Sequence, residues 1–228
     1  MSARWCYRSG VPTIRGVIFD LDGTLVDSND AHILAWVEAL AEFGWNVTQE
    51  QVRPLVGMGS DKLLPALAGV ALDSNEGHPV STRRQALMAR FVPQLRPFPG
   101  AVELVEALRR RGLRIALASS ATRPDVDRLL AQIGLENSFD AIVSAGEATH
   151  SKPDPDIVES ARAALGLPAS ECVMIGDTRY DLEAARRAEI PSIAFLCGGM
   201  PEDTLGDALA IYEGPADLLE HLDASPLV

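Results

Sequence analysis

Residues 14–28 constrain the fold of this chain more than any other stretch. An apolar run, residues 17–19, ends abruptly in the string Asp20-Leu-Asp22-Gly-Thr24. A short β-branched and aromatic run bounded by turn residues predicts a buried strand, and open α/β sheets bind ligands at the carboxyl ends of such strands. Two carboxylates this close repel each other unless a cation or a proton separates them. One of them can act as nucleophile and metal ligand, and the other as general acid/base.

The composition is that of a globular protein with one large domain, or with a core domain and a smaller insert. The 228 residues are 47% hydrophobic and 23% charged, and the formal net charge is −12. This charge argues against nucleic acid or an anionic membrane as the main partner, and an anionic substrate would need local cations. The three cysteines show no zinc-type spacing, which fits a cytoplasmic protein with reduced thiols.

The sequence gives no sign of a membrane or export segment. No apolar stretch approaches the roughly 18 residues that a membrane-spanning helix needs. Residues 1–12 lack the apolar segment of a signal peptide, and we expect a loose N-terminal tail there. The oligomeric state stays open between a monomer and a small homo-oligomer.

Residues 29–94 predict helices and no strand. A first helix begins at about residue 29 and ends near Gly44. Thr48 and Gln51 form a capping-box pattern that opens a short second helix. Two more helices are predicted at residues 61–68, capped by Ser60, and at residues 82–94, capped by Ser81.

From residue 98 onward, predicted strands and helices alternate. The strands are 114–118, 141–143, 172–175 and 192–196, and the helices are 101–111, 124–133, 156–165, 181–188 and 216–222. Such alternation implies right-handed β-α-β units and a parallel sheet. We therefore predict an α/β fold, a Rossmann-like parallel sheet in a three-layer αβα core with an inserted helical cap. The core domain covers 13–28 and 95–228, and the cap domain covers 29–94.

Polar side chains follow the carboxyl ends of the predicted strands, which share one edge of a parallel sheet. The set consists of Asp20, Asp22, Ser119, Ser120, Lys152, Asp177 and Asp181. Four of these side chains are carboxylates, and Lys152 offsets only one negative charge. A hard divalent cation would offset two more, and carboxylates with few nitrogen ligands favour Mg²⁺. We therefore predict Mg²⁺ as the cofactor.

Ser119 and Lys152 each also have an ordinary interpretation. Ser119 is typical of a helix N-cap, and at this edge its hydroxyl and the following backbone N–H groups can also hold a phosphoryl oxygen. Lys152 would normally be a solvated lysine, but Pro153 and Pro155 stiffen its loop and fix where it points. A cation held there can neutralise the carboxylates and stabilise charge on a transferred group.

These motifs resemble those of the haloacid dehalogenase-like hydrolases that carry a helical cap after the first strand. The four motifs of that family occur in order: Asp20-Leu-Asp-Gly-Thr, Leu117-Ala-Ser119, Lys152-Pro, and Gly176-Asp177-Thr-Arg-Tyr-Asp181. The resemblance covers about residues 14–222 and is closest in pattern to the phosphoglycolate phosphatases. It implies that the chain hydrolyses the phosphomonoester of a small metabolite through an aspartyl-phosphate.

The resemblance also implies a role for each matched residue. Asp20 is similar to the family's nucleophile, and Asp22 is similar to the acid/base that protonates the leaving alcohol and later deprotonates water. Lys152 would orient Asp20 and hold phosphoryl oxygens. Asp20, Asp22 (through its backbone carbonyl) and Asp177 would bind Mg²⁺, with Asp181 supporting that site. The predicted substrate-binding residues are Thr24, His32, Lys62, Ser119 and Ser120.

The predicted cap bears on the choice of reaction. Lys62 follows a segment that resembles the substrate-specificity loop of these caps, although a solvated helix lysine explains it equally well. His32 and Trp36 resemble a segment of β-phosphoglucomutase, whereas Ser60 stands where the phosphate-binding arginine of that mutase is expected. A phosphatase is therefore favoured over a phosphosugar mutase. A catalytically silent protein that binds a phospholigand is the third hypothesis.

The sequence does not identify the substrate or a second anion-binding group. Arg123, Arg179 and Tyr180 lie near the predicted crevice and could help bind a second anion. Surface positions are the ordinary interpretation of all three residues.

Overall fold

A computed structural model describes residues 13–227, so the predicted tail at residues 1–12 lies outside the described residues. One sheet contains the strands β1 (Gly16–Phe19), β2 (Arg114–Thr122), β3 (Ala141–Ala145), β4 (Cys172–Gly176), β5 (Ser192–Phe195) and β6 (Ala210–Tyr212). The strand order is β3-β2-β1-β4-β5-β6, and every pairing is parallel. The predicted Rossmann-like parallel sheet is confirmed.

Helices follow the strands in alternation. The α-helices are α1 (Asn29–Glu42), α2 (Gln49–Val52), α3 (Ser60–Ala68), α4 (Gly77–Phe91), α5 (Ala101–Arg110), α6 (Arg123–Ile133), α7 (Asp156–Leu165), α8 (Arg179–Arg187) and α9 (Pro215–Glu220). Short 3₁₀ turns occupy Arg53–Leu55, Val92–Gln94, Ala169–Glu171, Glu202–Leu205 and Leu222–Ala224. Within residues 13–227, none of the helices has the length and apolar character needed to cross a membrane.

The central strand β1 is buried on both faces, which explains why its apolar residues follow one another without alternation. Val17 and Phe19 pack into one hydrophobic cluster, and Ile18 packs into a second cluster on the opposite face. The first cluster includes residues of α5, α6 and α9, and the second includes residues of α7 and α8. Helices therefore cover both faces of the sheet, which is the predicted three-layer arrangement.

The helices α1 to α4 all lie between β1 and β2 in the chain. Trp36 of α1 and Leu87 of α4 are buried in the same cluster as Phe19 of the sheet. The predicted capping box opens α2: Thr48 Oγ1 accepts from the Gln51 N–H at 3.3 Å, and Gln51 Oε1 accepts from the Thr48 N–H at 2.8 Å. The division into a core and a cap domain with the stated boundaries stays a prediction.

Two helix starts in this insert differ from the prediction. The helix α4 begins at Gly77, because Ser74 Oγ accepts a hydrogen bond from the Gly77 N–H at 2.9 Å and so supports an earlier first turn. Ser81 therefore lies inside α4 and does not cap it. In α3, Ser60 is the first helical residue and Gly59 holds the N-cap position.

In the core, β2 is longer than predicted and β6 is not predicted at all. The strand β2 continues to Thr122, which is the N-cap residue of α6, so the interpretation of Ser119 as a helix cap is wrong. The pairing of β2 with β3 shifts register between Ala118 and Thr122. The sequence does not predict β6 because three residues at a sheet edge are too few to show a strand period.

Candidate active site

The carboxyl ends of the central strands bring the predicted polar residues together. Asp20 directly follows β1, and its backbone N–H donates to the Ile175 carbonyl of β4 at 2.9 Å. This bond extends the parallel ladder by one residue and fixes Asp20 at the sheet edge. Asp177 directly follows β4, and Lys152 lies in the loop between β3 and α7. These three residues and Asp181 are all buried, with at most 8% of each exposed.

Lys152 is the cation of this cluster. Its Nζ donates to Asp20 Oδ1 at 2.6 Å and to the Ala118 carbonyl at 2.7 Å. It also forms an ion pair with Asp181 Oδ1 at 2.7 Å. Burial lowers the pKa of Lys152, but the carboxylates of Asp181 and Asp20 outweigh burial and raise it above its ordinary value. The ammonium group is therefore charged and held against Asp20.

The carboxylates beside Lys152 carry more negative charge than it neutralises. Oxygen atoms of Asp20, Asp177 and Asp181 lie within 4.8 Å of one another. Burial raises the pKa of Asp20 to about 7, with Asp181 reinforcing burial and Lys152 opposing it. Burial also raises the pKa of Asp177 well above its ordinary value, reinforced by Asp181 and Asp20. A cation among these oxygens would relieve the repulsion, and an all-oxygen donor set fits Mg²⁺.

Asp181 has one carboxylate oxygen committed to its own helix. Its Oδ2 accepts from the Thr178 N–H at 3.0 Å and from Thr178 Oγ1 at 2.6 Å, which forms the capping box of α8. Only Oδ1 faces Lys152 and the other carboxylates. This geometry suits the supporting role that the resemblance implies for Asp181.

Asp177 is positioned by two side chains that follow β1. Thr24 Oγ1 donates to Asp177 Oδ1 at 2.8 Å, and Asn29 Nδ2 donates to Asp177 Oδ2 at 3.0 Å. Gly23 precedes Thr24 and has a φ of +82°, and a Cβ there would collide with the Asp177 carboxylate. Because the Thr24 hydroxyl is engaged with this carboxylate, the predicted substrate contact of Thr24 stays a prediction.

Asp22 lies apart from the carboxylate cluster and close to α1. Its Oδ1 accepts from Ser28 Oγ at 2.6 Å and lies 2.9 Å from His32 Nε2. Burial raises the pKa of Asp22, but His32 and Ser28 outweigh burial and lower it below its ordinary value. Asp20 and Asp22 therefore have opposite pKa shifts although they are two residues apart.

A cavity of about 50 Å³ lies over Asp20 between the core and the helical insert. The core side presents Asp20, Asp22 and Ser120 to this cavity, and the insert presents His32 and Arg84, among other residues. Ser120 Oγ is buried without a hydrogen-bond partner among the residues that the structure describes. It is therefore free to donate to a bound ligand.

Two predicted substrate-binding residues have other contacts. Ser119 is 1% exposed, and its Oγ accepts from the Ala121 N–H at 3.1 Å. Lys62 donates to the Ser151 carbonyl at 2.6 Å and pairs with Asp154, and it is not among the residues that line the cavity over Asp20. Substrate contact by Lys62 finds no support in this geometry.

Sequence reasoning did not single out Asn29 or Arg84 as site residues. In the sequence, Asn29 marks only the predicted start of the first helix, and its bond to Asp177 depends on a residue 148 positions away in the chain. Arg84 is one of two successive arginines, and in sequence either is typical of a solvated helix face. Only the packing of α4 shows which of the two points inward.

The fold and the site together define a class of α/β enzyme, with a carboxylate–lysine centre at the carboxyl edge of a parallel sheet and a helical insert above it. The sequence profile of the haloacid dehalogenase-like hydrolases matches residues 17–195 of the chain. The chain belongs to this family, as its motifs predict.

Individual relatives agree with this assignment. The chain is 33% identical over 208 residues to a phosphoglycolate phosphatase of Caulobacter vibrioides, with 86% of each protein covered. It is 36% identical over 209 residues to the chloroplastic protein SUPPRESSOR OF QUENCHING 1 of Arabidopsis thaliana, covering 89% of the chain. The match spans only 19% of that longer relative. A crystal structure of a hydrolase from Pseudomonas syringae superposes with a TM-score of 0.87 at 33% identity, covering 92% of this chain and 98% of the other.

Proposed function

We propose that this protein is a Mg²⁺-dependent phosphatase that hydrolyses the phosphomonoester of a small metabolite. The observation that carries the proposal is the contact of Lys152 Nζ with Asp20 Oδ1 at 2.6 Å, at the floor of a cavity that also holds Asp22. This contact holds a carboxylate at the cavity beside a fixed positive charge. Relatives named as phosphoglycolate phosphatases, from Caulobacter vibrioides and Rhodospirillum rubrum, support the same reaction type.

The reaction follows from the positions of Asp20 and Asp22. A carboxylate oxygen of Asp20 attacks phosphorus, the ester P–O bond breaks, and Asp22 in its protonated form gives its proton to the leaving alkoxide. Asp22 then takes a proton from water, which attacks phosphorus, and the bond between phosphorus and Asp20 breaks to release inorganic phosphate. The lowered pKa of Asp22 suits the second step, because the ionised carboxylate is the form that accepts a proton. The proton that Asp22 takes from water in this step is the one that it gives to the leaving alkoxide in the next turnover.

The residues around Asp20 fit the charge that develops on the transferred group. Asp20, Asp177 and the backbone carbonyl of Asp22 would hold Mg²⁺, which supplies positive charge to the phosphoryl oxygens when it is bound. Lys152 keeps Asp20 oriented, and the free hydroxyl of Ser120 can donate to a phosphoryl oxygen.

A panel of phosphomonoesters tests the proposal. With Mg²⁺ present, we expect phosphate release from at least one of phosphoglycolate, fructose 1-phosphate, glycerol 3-phosphate and nucleoside monophosphates. Chelation by EDTA is expected to abolish this release, and added Mg²⁺ to restore it. If no ester of the panel is hydrolysed with Mg²⁺ present, the catalytically silent hypothesis takes precedence.

One observation favours a phosphosugar mutase as the second candidate. His32 Nε2 lies 2.9 Å from Asp22, and a histidine in this position is part of the resemblance to β-phosphoglucomutase. Incubation with β-glucose 1-phosphate and a catalytic amount of the 1,6-bisphosphate distinguishes the two reactions. A phosphatase yields free phosphate, whereas a mutase yields glucose 6-phosphate.

Metal binding has a readout that does not depend on turnover. We expect Mg²⁺ to raise the melting temperature of the protein, because it would relieve the repulsion among the carboxylates of Asp20, Asp177 and Asp181. The Asp177→Asn variant should lose most of this shift, whereas Asp207→Asn, at an exposed position, should keep it. An equal shift in both variants would place the metal elsewhere.

The cellular setting of the protein stays a set of predictions. We propose a cytoplasmic location, no partnership with nucleic acid or membrane, and a monomer or small homo-oligomer. The net charge of −12 supports the second point.

A further inference from the structure

Arg84 of α4 is a buried arginine that faces the cavity over Asp20. Only 8% of the residue is exposed. Its Nη2 donates to Ser60 Oγ at 3.3 Å, and its guanidinium carbon lies 5.3 Å from the centre of the Trp36 ring. Its Nε is buried without a hydrogen-bond partner among the described residues. The side chain is therefore held in place by neutral groups and retains an unused donor.

A buried guanidinium normally has a carboxylate partner, because an unpaired charge in a low-dielectric interior is costly. The adjacent Arg83 shows the usual arrangement, with Nε and Nη2 donating to Glu42 at 2.6 and 2.7 Å. Within residues 13–227, no carboxylate forms such a pair with Arg84, and Asp125 and Asp22 act on it only through longer-range attraction. Arg84 thus has the surroundings of a residue whose anionic partner is not part of the protein.

Two cavities meet at Arg84. The guanidinium lines the cavity over Asp20 and also a larger one, of about 260 Å³, which extends toward residues 145–151. Ser60 and Ser120 line both cavities as well, and Ser120 Oγ is the second unpartnered buried polar atom here. A ligand that contacts Asp20 with one end can therefore place its other end against Arg84.

We propose that Arg84 binds a second anionic group of the substrate, a carboxylate or a second phosphate on its leaving group. This inference rests on the proposed phosphatase function and narrows its substrate class to phosphomonoesters that carry a further negative charge. A guanidinium binds either group through paired hydrogen bonds. Such a substrate requires a cation at its binding site, because a chain of net charge −12 otherwise repels it. Lys152 is already engaged by Asp20 and Asp181, whereas Arg84 has no ion pair with a carboxylate among the described residues.

Matched esters with and without the second anion test the assignment. Phosphoglycolate is compared with 2-hydroxyethyl phosphate, which lacks the carboxylate, and fructose 1,6-bisphosphate is compared with fructose 1-phosphate. For Arg84→Gln we expect kcat/KM to fall about 100-fold for phosphoglycolate or for fructose 1,6-bisphosphate, and less than about 3-fold for the matched ester that lacks the second anion. The pair that shows the selective loss identifies carboxylate or phosphate. Arg84→Lys should recover part of the loss, and Arg83→Gln should behave as the wild type.

Other outcomes overturn the assignment. An equal loss for all four esters would place Arg84 on the transferred phosphoryl group, and no loss would remove it from the site. A purely structural role would lower the melting temperature of Arg84→Gln, whereas we expect it to be unchanged or higher, because a buried unpaired charge is removed.

Binding separates the failure of this inference from the failure of the proposed function. If the wild type hydrolyses neither these four esters nor any other ester of the panel above, the phosphatase proposal fails. Calorimetric binding of phosphoglycolate or fructose 1,6-bisphosphate that is lost in Arg84→Gln would then still uphold the anion site. The absence of both turnover and binding would overturn both proposals.

Discussion

Replacement of Asp20 by asparagine is expected to lower kcat by about 10⁵-fold or more, because the amide cannot attack phosphorus and no neighbouring group can take its place. The variant should remain folded. Asn has nearly the shape of Asp, and Lys152 keeps its contacts with Asp181 and the Ala118 carbonyl. Removal of one charge also relieves the crowding that, together with burial, raises the pKa of Asp20 to about 7. Metal-free Asp20→Asn should therefore melt no lower than the wild type.

Asp27→Asn is the matched control for this substitution. Asp27 is exposed on the same segment and has no place in the site, so its variant should keep the wild-type kcat. Phosphate release measures kcat of both variants, and mass spectrometry of acid-quenched protein detects the phosphoprotein. An Asp20→Asn variant that still forms a phosphoprotein, or that turns over within tenfold of the wild type, would contradict Asp20 as the nucleophile.

Replacement of Lys152 by methionine is expected to affect both stability and turnover. Lys152 is completely buried, and its loss leaves the Asp20 and Asp181 carboxylates without their cation. Removing one partner of a buried ion pair costs about 3–5 kcal/mol in the free energy of unfolding. We expect kcat to fall about 10³-fold as well, because Asp20 loses its orientation and the transferred group loses a fixed positive charge. Saturating Mg²⁺ should restore part of the stability and little of the activity.

Lys62→Met is the matched control for Lys152→Met, because Lys62 is the only other lysine of the chain. Lys62 is partly exposed and pairs with Asp154, so Lys62→Met should cost at most about 1 kcal/mol. Denaturant titration in EDTA and in Mg²⁺ measures both variants. A similar loss of stability in the two would mean that Lys152 is not the cation that holds the cluster together. A selective rise in KM for Lys62→Met would support the predicted substrate contact of Lys62.

The catalytic residues of the core could be predicted from the sequence because each of them belongs to a short local motif. Val17, Ile18 and Phe19 are apolar without alternation, which indicates a strand buried on both faces, and the carboxylates directly follow it. In a parallel sheet all strands end at one edge, so the residues after β1, β2 and β4 have to converge. The topology of the sheet alone therefore places Asp20 near Asp177.

The structure differs from the prediction where contacts that the sequence pattern does not record, some distant and some local, decide the result. The edge strand β6 is too short to show a period, and it exists because β5 offers it a partner. Ser119 and Ser120 differ in their local contacts. Ser119 Oγ accepts a hydrogen bond from the Ala121 N–H, whereas Ser120 lines the cavity. The sequence pattern does not distinguish these two serines. The strand changes register here, and the pattern does not predict which of the two side chains points into the cavity.

The sequence by itself therefore determined the family, the parallel sheet and the candidate residues for the reaction at phosphorus. Strand burial and chain order specify those features through patterns of a few residues. Only the tertiary structure decided how the helical insert meets the core. In the structure, Lys62 pairs with Asp154 and Arg84 faces the cavity over Asp20, although the sequence predicts both on solvent-exposed helix faces. The physical reason is that the direction of a helical side chain depends on how the whole helix packs, and α4 packs chiefly against α1, a helix distant from it in the chain.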